Sequence, residues 1–509
     1  MTIKRNRLGG ATAMNLSFDK DFPIRSLSFH GPIQQEISSV IYNSENVTDG
    51  AVFVCIPGEN TDGHFYIEEA VAKGAAVIIG SDAVVLDSYK NRFENVTFAL
   101  VEDPREALAL FSIALSEVVQ DRLVKVGITG TNGKTTVAAY VRNLFNLVGM
   151  PCGLVGTNGV YTSKSKLAFK KTTPIKPLSA DLHRIFSILT EHGDEAVSME
   201  VTSIALDQKR TYGVEFEVAV HTNLSEEHLE YHKTIACYRQ AKLKLFSQTK
   251  KAVVNLDDRG MAREILETAD CPILTYSQKP GRGAHLTWTN VRHTAEGMRF
   301  DLIWQGDTHS VTMPLFADYN VGNMAAAIGA LLQADIPMER VLPILPEVER
   351  VEGRFQLING PEERRIIIDY AHTPVALNKV LKASNELKHN RLIALIAGIG
   401  IRDFGKMPKM ARAAEGKADV LVVTVDHPGD HEPEVVINEV MKGFSIPHKQ
   451  QVMTAMTRKA AVEAALQESG PGDIILLTSG CINGAQIIKG EYVPHSDEEI
   501  IDQFFLAQR

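Results

Sequence analysis

Short apolar runs ending in polar or glycine residues recur along the chain, and segments with helical spacing lie between them. Leu123–Thr129 (LVKVGIT) is such a run with a β-branched bias, and it predicts a buried strand. Just after it, Val137, Tyr140, Val141, Leu144 and Leu147-Val148 fall on one face at helical spacing. The last third repeats the alternation in RIIIDYAHT, RLIALIAGIG, ADVLVVTVDH and DIILLTSG. Continuous apolar strands separated by helices predict an α/β protein with largely parallel sheets covered on both faces. Ligand groups collect beyond the carboxyl ends of such strands. Residues 278–314 read differently, as hairpins, because the stretch is polar and punctuated by glycine. Three blocks emerge, at 1–118, 119–337 and 338–509. That matches the soft prior of about 150 residues per domain for 509 residues.

The junction between the first strand and helix quoted above carries the first chemistry. Gly130-Thr131-Asn132-Gly133-Lys134-Thr135-Thr136 joins them. The ordinary phosphate loop, G-x-x-x-x-G-K-[ST], would need glycine where Ile128 stands. A strand, a glycine turn and a helix start still form an anion site from backbone N–H groups and the helix dipole. Lys134 adds a point charge, and Thr135 or Thr136 a hydroxyl suited to magnesium. An ordinary turn with a solvated lysine fits the register of these parts less well, so a phosphate ligand, ATP, is expected.

Charge and cysteines narrow the class. The net charge of −9 argues against nucleic acid as the main partner, so an anionic ligand must be held by local positive groups. The five cysteines are scattered without CxxC spacing, which points to a reducing compartment. No apolar run is long enough to span a bilayer, and the basic N-terminus lacks a signal-peptide core. A cytoplasmic, monomeric protein without membrane insertion is expected.

Other polar groups sit past apolar runs. Glu200 follows AVSM, and Asn223 and His228 follow VAVHT. A carboxylate and an imidazole near a nucleotide loop are candidate magnesium ligands, although magnesium prefers oxygen. A surface histidine among Glu226, Glu227 and Glu230 is the other reading of His228, and the pattern leaves both open. Lys242 and Lys244 lie on a helical segment and by pattern alone could simply face water. Arg354 is a candidate phosphate contact. Asp369 ends a strand, and His372 follows in what could be plain turn chemistry. No nucleophile elbow and no Ser/His/Asp arrangement stands out.

Taken in order, these phrases resemble the Mur ligase family, and within it the members that add the third residue of the peptidoglycan stem peptide. YNSENVTDGAVFVCIPGENTDGHFYIEEAVAKGA is similar to the uridine-binding N-terminal domain, and TGTNGKTT to the family's own ATP loop. TTP (172–174), MEVTS, TNLSEEHLEYH, AKLKLF, YNVGNMAAAI, GRF and DYAHTP follow in the family's order. The resemblance implies three domains: uridine-nucleotide binding, a central P-loop-type ATPase, and a Rossmann-like C-terminal domain receiving the amino acid. It implies ATP-dependent amide formation through an acyl phosphate. Lys134 would hold phosphates, while Thr135, Glu200, His228 and a carbamylated Lys242 would serve magnesium. Asn320, Asn323, Arg354 and Asp369 would contact the nucleotide. Ser44 would serve the uridine site. Thr172, Thr173, Thr202, Gln208 and Arg210 would grip a UDP-MurNAc-peptide, with Asp426 and His427 near the incoming amino acid.

Several positions depart from that pattern. The family's DSR reads Asn43-Ser44-Glu45, and its SSH reads Thr202-Ser203-Ile204. Diaminopimelate-adding members carry DNPR and GKGHE, where this chain has Asp426-His427-Pro428-Gly429 and SGCIN (479–483). Losing a charge-assisted pair costs up to about 3 kcal/mol, so the amino acid stays open. A ligase moved to another carboxylate acceptor and a binding protein without catalysis are the competing readings. The intact Lys134, Thr135, Glu200, His228 and Lys242 argue against the latter.

Overall fold

The computed structural model describes residues 5–8, 11–17, 27–58, 61–115, 122–168, 178–294, 296–401, 404–445, 449–480 and 484–507. Thr172 and Thr173, expected at the substrate site, and residues 481–483 lie outside this set.

The central sheet has ten strands and sets the geometry of the molecule. Its parallel part runs in space through Cys152–Gly156, Ala196–Glu200, Val124–Thr129, Phe216–His221, Thr249–Asn255, Ile273–Ser277 and Leu286–His293. Met298–Trp304 and Asp307–Met313 then extend it as antiparallel hairpins, as the polar, glycine-marked stretch predicts. Successive strand residues point to opposite faces. Val126 and Ile128 therefore pack with Val137 and Val141 of the helix Lys134–Leu147. Val197 and Met199 of the neighbouring strand join Leu182, Ile185 and Leu189 of the helix Ser179–Glu191 on the other face. Each such side chain, fully buried, contributes about 1.5–3 kcal/mol.

The C-terminal sheet has six strands in the order Gln356–Asn359, Arg365–Asp369, Ile474–Thr478, Leu392–Ile399, Val420–Asp426 and Gln451–Thr454. All its pairs are parallel except the first. Ile367 faces one core, while Ile366 and Ile368 face the other. Helices cover both faces, which is why these strands read as unbroken apolar runs.

The N-terminal part holds a five-stranded sheet from Ser28–His30 to Thr97–Leu100, parallel apart from that one pair. A separate three-stranded antiparallel sheet is built from Arg5–Leu8, Ala11–Ser17 and Gln34–Ile37. Tyr42 donates to Asp181 at 2.9 Å, and Lys209 pairs with Asp103 and Glu106 at 2.9 and 2.8 Å. These contacts fix the N-terminal sheet beside the central one. Among the described residues no helix is long and apolar enough to cross a membrane.

Candidate active site

The strand Val124–Thr129 delivers the glycine loop to the C-terminal edge of the central sheet, where the helix Lys134–Leu147 begins. Gly130 has φ +149° and Gly133 φ +87°. A Cβ on Gly130 would lie 1.9 Å from Thr222 Oγ1, and one on Gly133 2.8 Å from Asn323 Oδ1. Gly130 is therefore required by close approach as well as by backbone conformation, and Gly133 by its left-handed backbone.

The next strand end braces this loop. Thr131 N–H donates to Asn223 O at 2.8 Å and Asn132 N–H to Asn223 Oδ1 at 3.0 Å. Thr222 Oγ1 donates to Asn132 O at 2.7 Å. The Thr131 hydroxyl is committed to Ser225 and Tyr238. Thr131 and Asn132 thus shape the loop but do not offer free N–H groups. The donors left for an anion are those of the first helical turn, which have no intrahelical partner.

Lys134 folds back so that Nζ donates to Gly130 O at 3.0 Å and Thr131 O at 2.8 Å. Burial pulls its pKa below the ordinary lysine range, with Glu200 opposing that pull. A bound phosphate would stabilise the ammonium far better than two carbonyls do.

Glu200 ends its strand fully inside the site. It accepts from Thr157 N–H at 2.7 Å and from the Thr135 hydroxyl at 3.0 Å. Thr135 is therefore held by Glu200 on one side and by Arg354 on the other, whose Nη2 lies 3.0 Å from Thr135 Oγ1. That last contact joins residues 219 positions apart and brings the C-terminal domain onto the phosphate loop. Arg354 also lies over the Tyr370 ring at 5.5 Å.

Lys242, on the helix Ile235–Leu243, is only 1% exposed. The water-facing alternative for this lysine is overturned: Nζ donates to Gly130 O at 2.7 Å and sits 4.6 Å from the Tyr238 ring centre. Lys244, two residues on, does face water and pairs with Asp207. His228 has φ +55°, stands edge-on to the same Tyr238 at 6.2 Å, and holds Nδ1 3.4 Å from Glu230 Oε1. It is half-buried between Tyr238 and the acid Glu230.

A cleft of about 390 Å³ opens between the central and C-terminal domains above the loop. Its walls include Asn323, Tyr319, Trp288, Tyr276, Lys379 and Asp369. Asn320 is not in that wall; it is 2% exposed, donates to Phe316 O and accepts from Asn323. It positions Asn323. Asp369 accepts from Phe355 N–H at 2.9 Å, and burial raises its pKa against the pull of Arg354.

The remaining predicted residues lie on separate elements. Ser44 is buried, donates to Glu69 at 2.8 Å, and its carbonyl accepts from Lys73 at 3.0 Å. Lys73 is in turn paired with Glu69 at 2.7 Å. Thr202 caps the helix Ser203–Asp207. Gln208 Oε1 accepts from Arg210 Nε and Nη2 at 3.1 and 2.7 Å. Asp426 is 1% exposed and accepts from Gln486 at 3.0 Å, while His427 Nδ1 accepts from Ile487 N–H at 3.0 Å. Gly429, at φ +64°, exchanges backbone hydrogen bonds with Ile487 and Lys489.

Thr157, Thr222, Glu227, Tyr238 and Lys406 were not singled out by the sequence. Glu227 is buried and paired with Lys406 of the C-terminal domain, beside His228. Thr157 had a usable signal, a glycine turn after the apolar CGLVG. A lone Lys406 had none.

Three family models match in order: the Mur ligase family catalytic domain at 36–115, the Mur ligase middle domain at 128–331, and the Mur ligase glutamate ligase domain at 353–481. UDP-N-acetylmuramoyl-L-alanyl-D-glutamate–2,6-diaminopimelate ligase 1 of Clostridium acetobutylicum is 32% identical over 476 residues, covering 93% of this chain and 96% of its own. The like-named ligase of Geobacillus kaustophilus is 33% identical, covering 91% and 94%. A solved structure of a ligase of that name superposes with a TM-score of 0.67 at 27% identity, over 97% and 99% of the two chains. A MurF ligase of Thermotoga maritima in complex with ADP shares the fold, with a TM-score of 0.61 at 17% identity, over 92% and 97%. With its phosphate loop, its Glu200 end and its three matched domains in register, the chain belongs to the Mur ligase family.

Proposed function

We propose that the chain is an ATP-dependent amide ligase that adds one amino acid to UDP-N-acetylmuramoyl-L-alanyl-D-glutamate in peptidoglycan precursor synthesis. The observation that carries this reading is the junction at Thr135, where the Glu200 carboxylate and the Arg354 guanidinium meet beside Lys134. It joins a carboxylate, a hydroxyl and two cations from two domains at one helix start, which is what phosphoryl transfer uses.

ATP occupies the cleft with its phosphates on the first turn of Lys134–Leu147. Magnesium fits the oxygen pair of Thr135 and Glu200, and when bound it neutralises phosphate charge. Lys134 exchanges its loop carbonyls for phosphate oxygens. Arg354 lies where it can follow the γ-phosphoryl group as it moves to the substrate carboxylate, which becomes an acyl phosphate as ADP leaves. The amine of the incoming amino acid attacks the acyl carbon, and the tetrahedral adduct collapses to an amide with loss of phosphate. Closure of the C-terminal domain excludes water from that intermediate. Lys242, buried against Gly130 O, is the residue that carbamylation would turn into a carboxylate; His228 flanks the same tyrosine. Ser44, Thr202, Gln208 and Arg210 hold the nucleotide-peptide, while Asp426 and His427, tied to Gln486 and Ile487, shape the amino-acid end from behind without touching the ligand.

The relatives are named for 2,6-diaminopimelate, but Gly429 offers no cation to a distal carboxylate. The test is phosphate release with ATP, magnesium and the UDP-muramyl dipeptide across meso-diaminopimelate, L-lysine, L-ornithine and small neutral amino acids, with products identified by mass. A ligated product with any of them supports the reading and names the amine. Silence across the panel with ATP still bound overturns this acceptor and leaves a ligase with a different carboxylate substrate.

A further inference from the structure

One wall of the nucleotide cleft carries a group of side chains of metal-ligating types, remote in sequence from the loop. His293 is the last residue of the strand Leu286–His293, whose Trp288 lines the cleft. Asp318 immediately precedes the helix Tyr319–Gln333, and Glu386 ends the helix Pro374–Glu386 of the C-terminal domain. Asp318 and Glu386 both line the cleft. One ligand atom from each residue lies within 4.8 Å of the other two.

The spacing suits a small coordination sphere. His293 Nε2 is 3.0 Å from Asp318 Oδ1 and 3.8 Å from Glu386 Oε2. Bonds of about 2.0–2.1 Å around a tetrahedral ion place neighbouring ligand atoms about 3.3 Å apart. Asp318 Oδ1 is also buried without a hydrogen-bond partner despite its closeness to Nε2, so the ring N–H direction and the oxygen are not aligned with each other. Two atoms that face a common third point behave in this way. Lys382, the ammonium paired with Glu386 among the described residues, lies 3.6 Å from the other carboxylate oxygen, Oε1, and is mostly exposed. Oε2 is left to the cluster.

We propose that His293, Asp318 and Glu386 form a site for a borderline divalent transition-metal ion, zinc being the best match, which staples the C-terminal domain to the central domain over the bound nucleotide. An imidazole with two carboxylates selects zinc over magnesium, because magnesium prefers oxygen ligands and keeps its waters. Two ligands come from the central domain and one from the C-terminal domain, so the ion binds the closed arrangement better than an open one. By linkage it then tightens nucleotide binding, and holding the two domains together slows nucleotide release. The nucleotide half of this inference rests on the phosphate-site reading; the metal half does not.

The test uses the full chain under saturating magnesium. Zinc is titrated against a chromophoric chelator, and release of a fluorescent ADP analogue is followed by stopped flow with and without zinc. One zinc site is expected, weakened about 10-fold or more in His293→Ala and in Glu386→Gln. Zinc should slow ADP release about 5-fold or more in the unmodified chain and leave the rate in His293→Ala unchanged. Without zinc, His293→Ala should keep the unmodified chain's turnover and ADP release. Equal zinc affinity in both variants overturns the site. Unchanged ADP release on zinc binding, or altered release in His293→Ala without zinc, overturns the staple. Failure of the analogue to bind refutes the phosphate site, and the chelator titration still decides the cluster.

Discussion

Two strand ends that look alike in sequence do different work. Val124–Thr129 and Val420–Asp426 are both buried parallel strands that deliver polar residues at their carboxyl ends. At the first, the neighbouring strand end supplies Thr222 and Asn223 to hold the loop, and Gly133 and Thr136 line the cleft together with Arg354, while Thr135 pairs with Glu200. At the second, Asp426 and His427 are tied to Gln486 and Ile487 of the hairpin Ala485–Pro494, and Gly429 pairs with its backbone. A strand end places chemistry in reach of a ligand only when something else satisfies its backbone and leaves its side chains open. Substituting both ends tests that distinction.

The largest expected effect is at Lys134. Lys134→Ala should lower turnover about 10³-fold or more with the melting temperature nearly kept, measured by phosphate release and calorimetry. Glu200→Gln should cost about 10²-fold in kcat. If Asp426→Asn produced an equal kcat loss with stability intact, the contrast between the two ends would collapse. Arg354→Ala should raise the KM for ATP about 10-fold, because it reaches Thr135 from the other domain. Gln486→Ala should leave nucleotide binding untouched yet destabilise the chain by about 1–3 kcal/mol, since it removes a hydrogen bond to a buried Asp426 oxygen. Denaturant unfolding with a parallel ATP titration separates those outcomes.

The smallest effect is a pH dependence beneath the loop. Burial alone would raise the Asp258 pKa, but His221 and the N–H groups of Leu224 and Met261 bring it down to about 2. A depressed carboxylate stabilises the fold above its unfolded pKa near 3.8. That contribution should fade as pH falls from 3.8 toward 2 and be missing in Asp258→Asn. An identical acid-unfolding profile in the variant would remove Asp258 from the account of how the loop's brace is held.

The legible parts were those written in local periodicity. The strand-loop-helix at 123–148, the alternation of the last third and the hairpins of 278–314 could be read because burial on one face imposes a period of 2 or 3.6. The sheet Arg5–Leu8, Ala11–Ser17, Gln34–Ile37 was not read, because short strands without strong apolar alternation give little signal. Lys242 shows the limit from the other side. Its helix was legible, but its burial was not, since spacing does not say that Tyr238 and Gly130 O close around it.

The sequence by itself determined the α/β alternation, the glycine loop with its Lys134 and Thr135, the family resemblance, and the loss of arginine at Gly429. Only the tertiary structure decided that Thr131 and Asn132 spend their N–H groups on Asn223, that Arg354 meets Thr135, and that Asp426 is sealed under a hairpin. It alone brought His293, Asp318 and Glu386 together. The physical reason is that periodicity encodes which face of an element is buried. Which partner covers that face, and which donor meets which acceptor, is set by how distant segments cross.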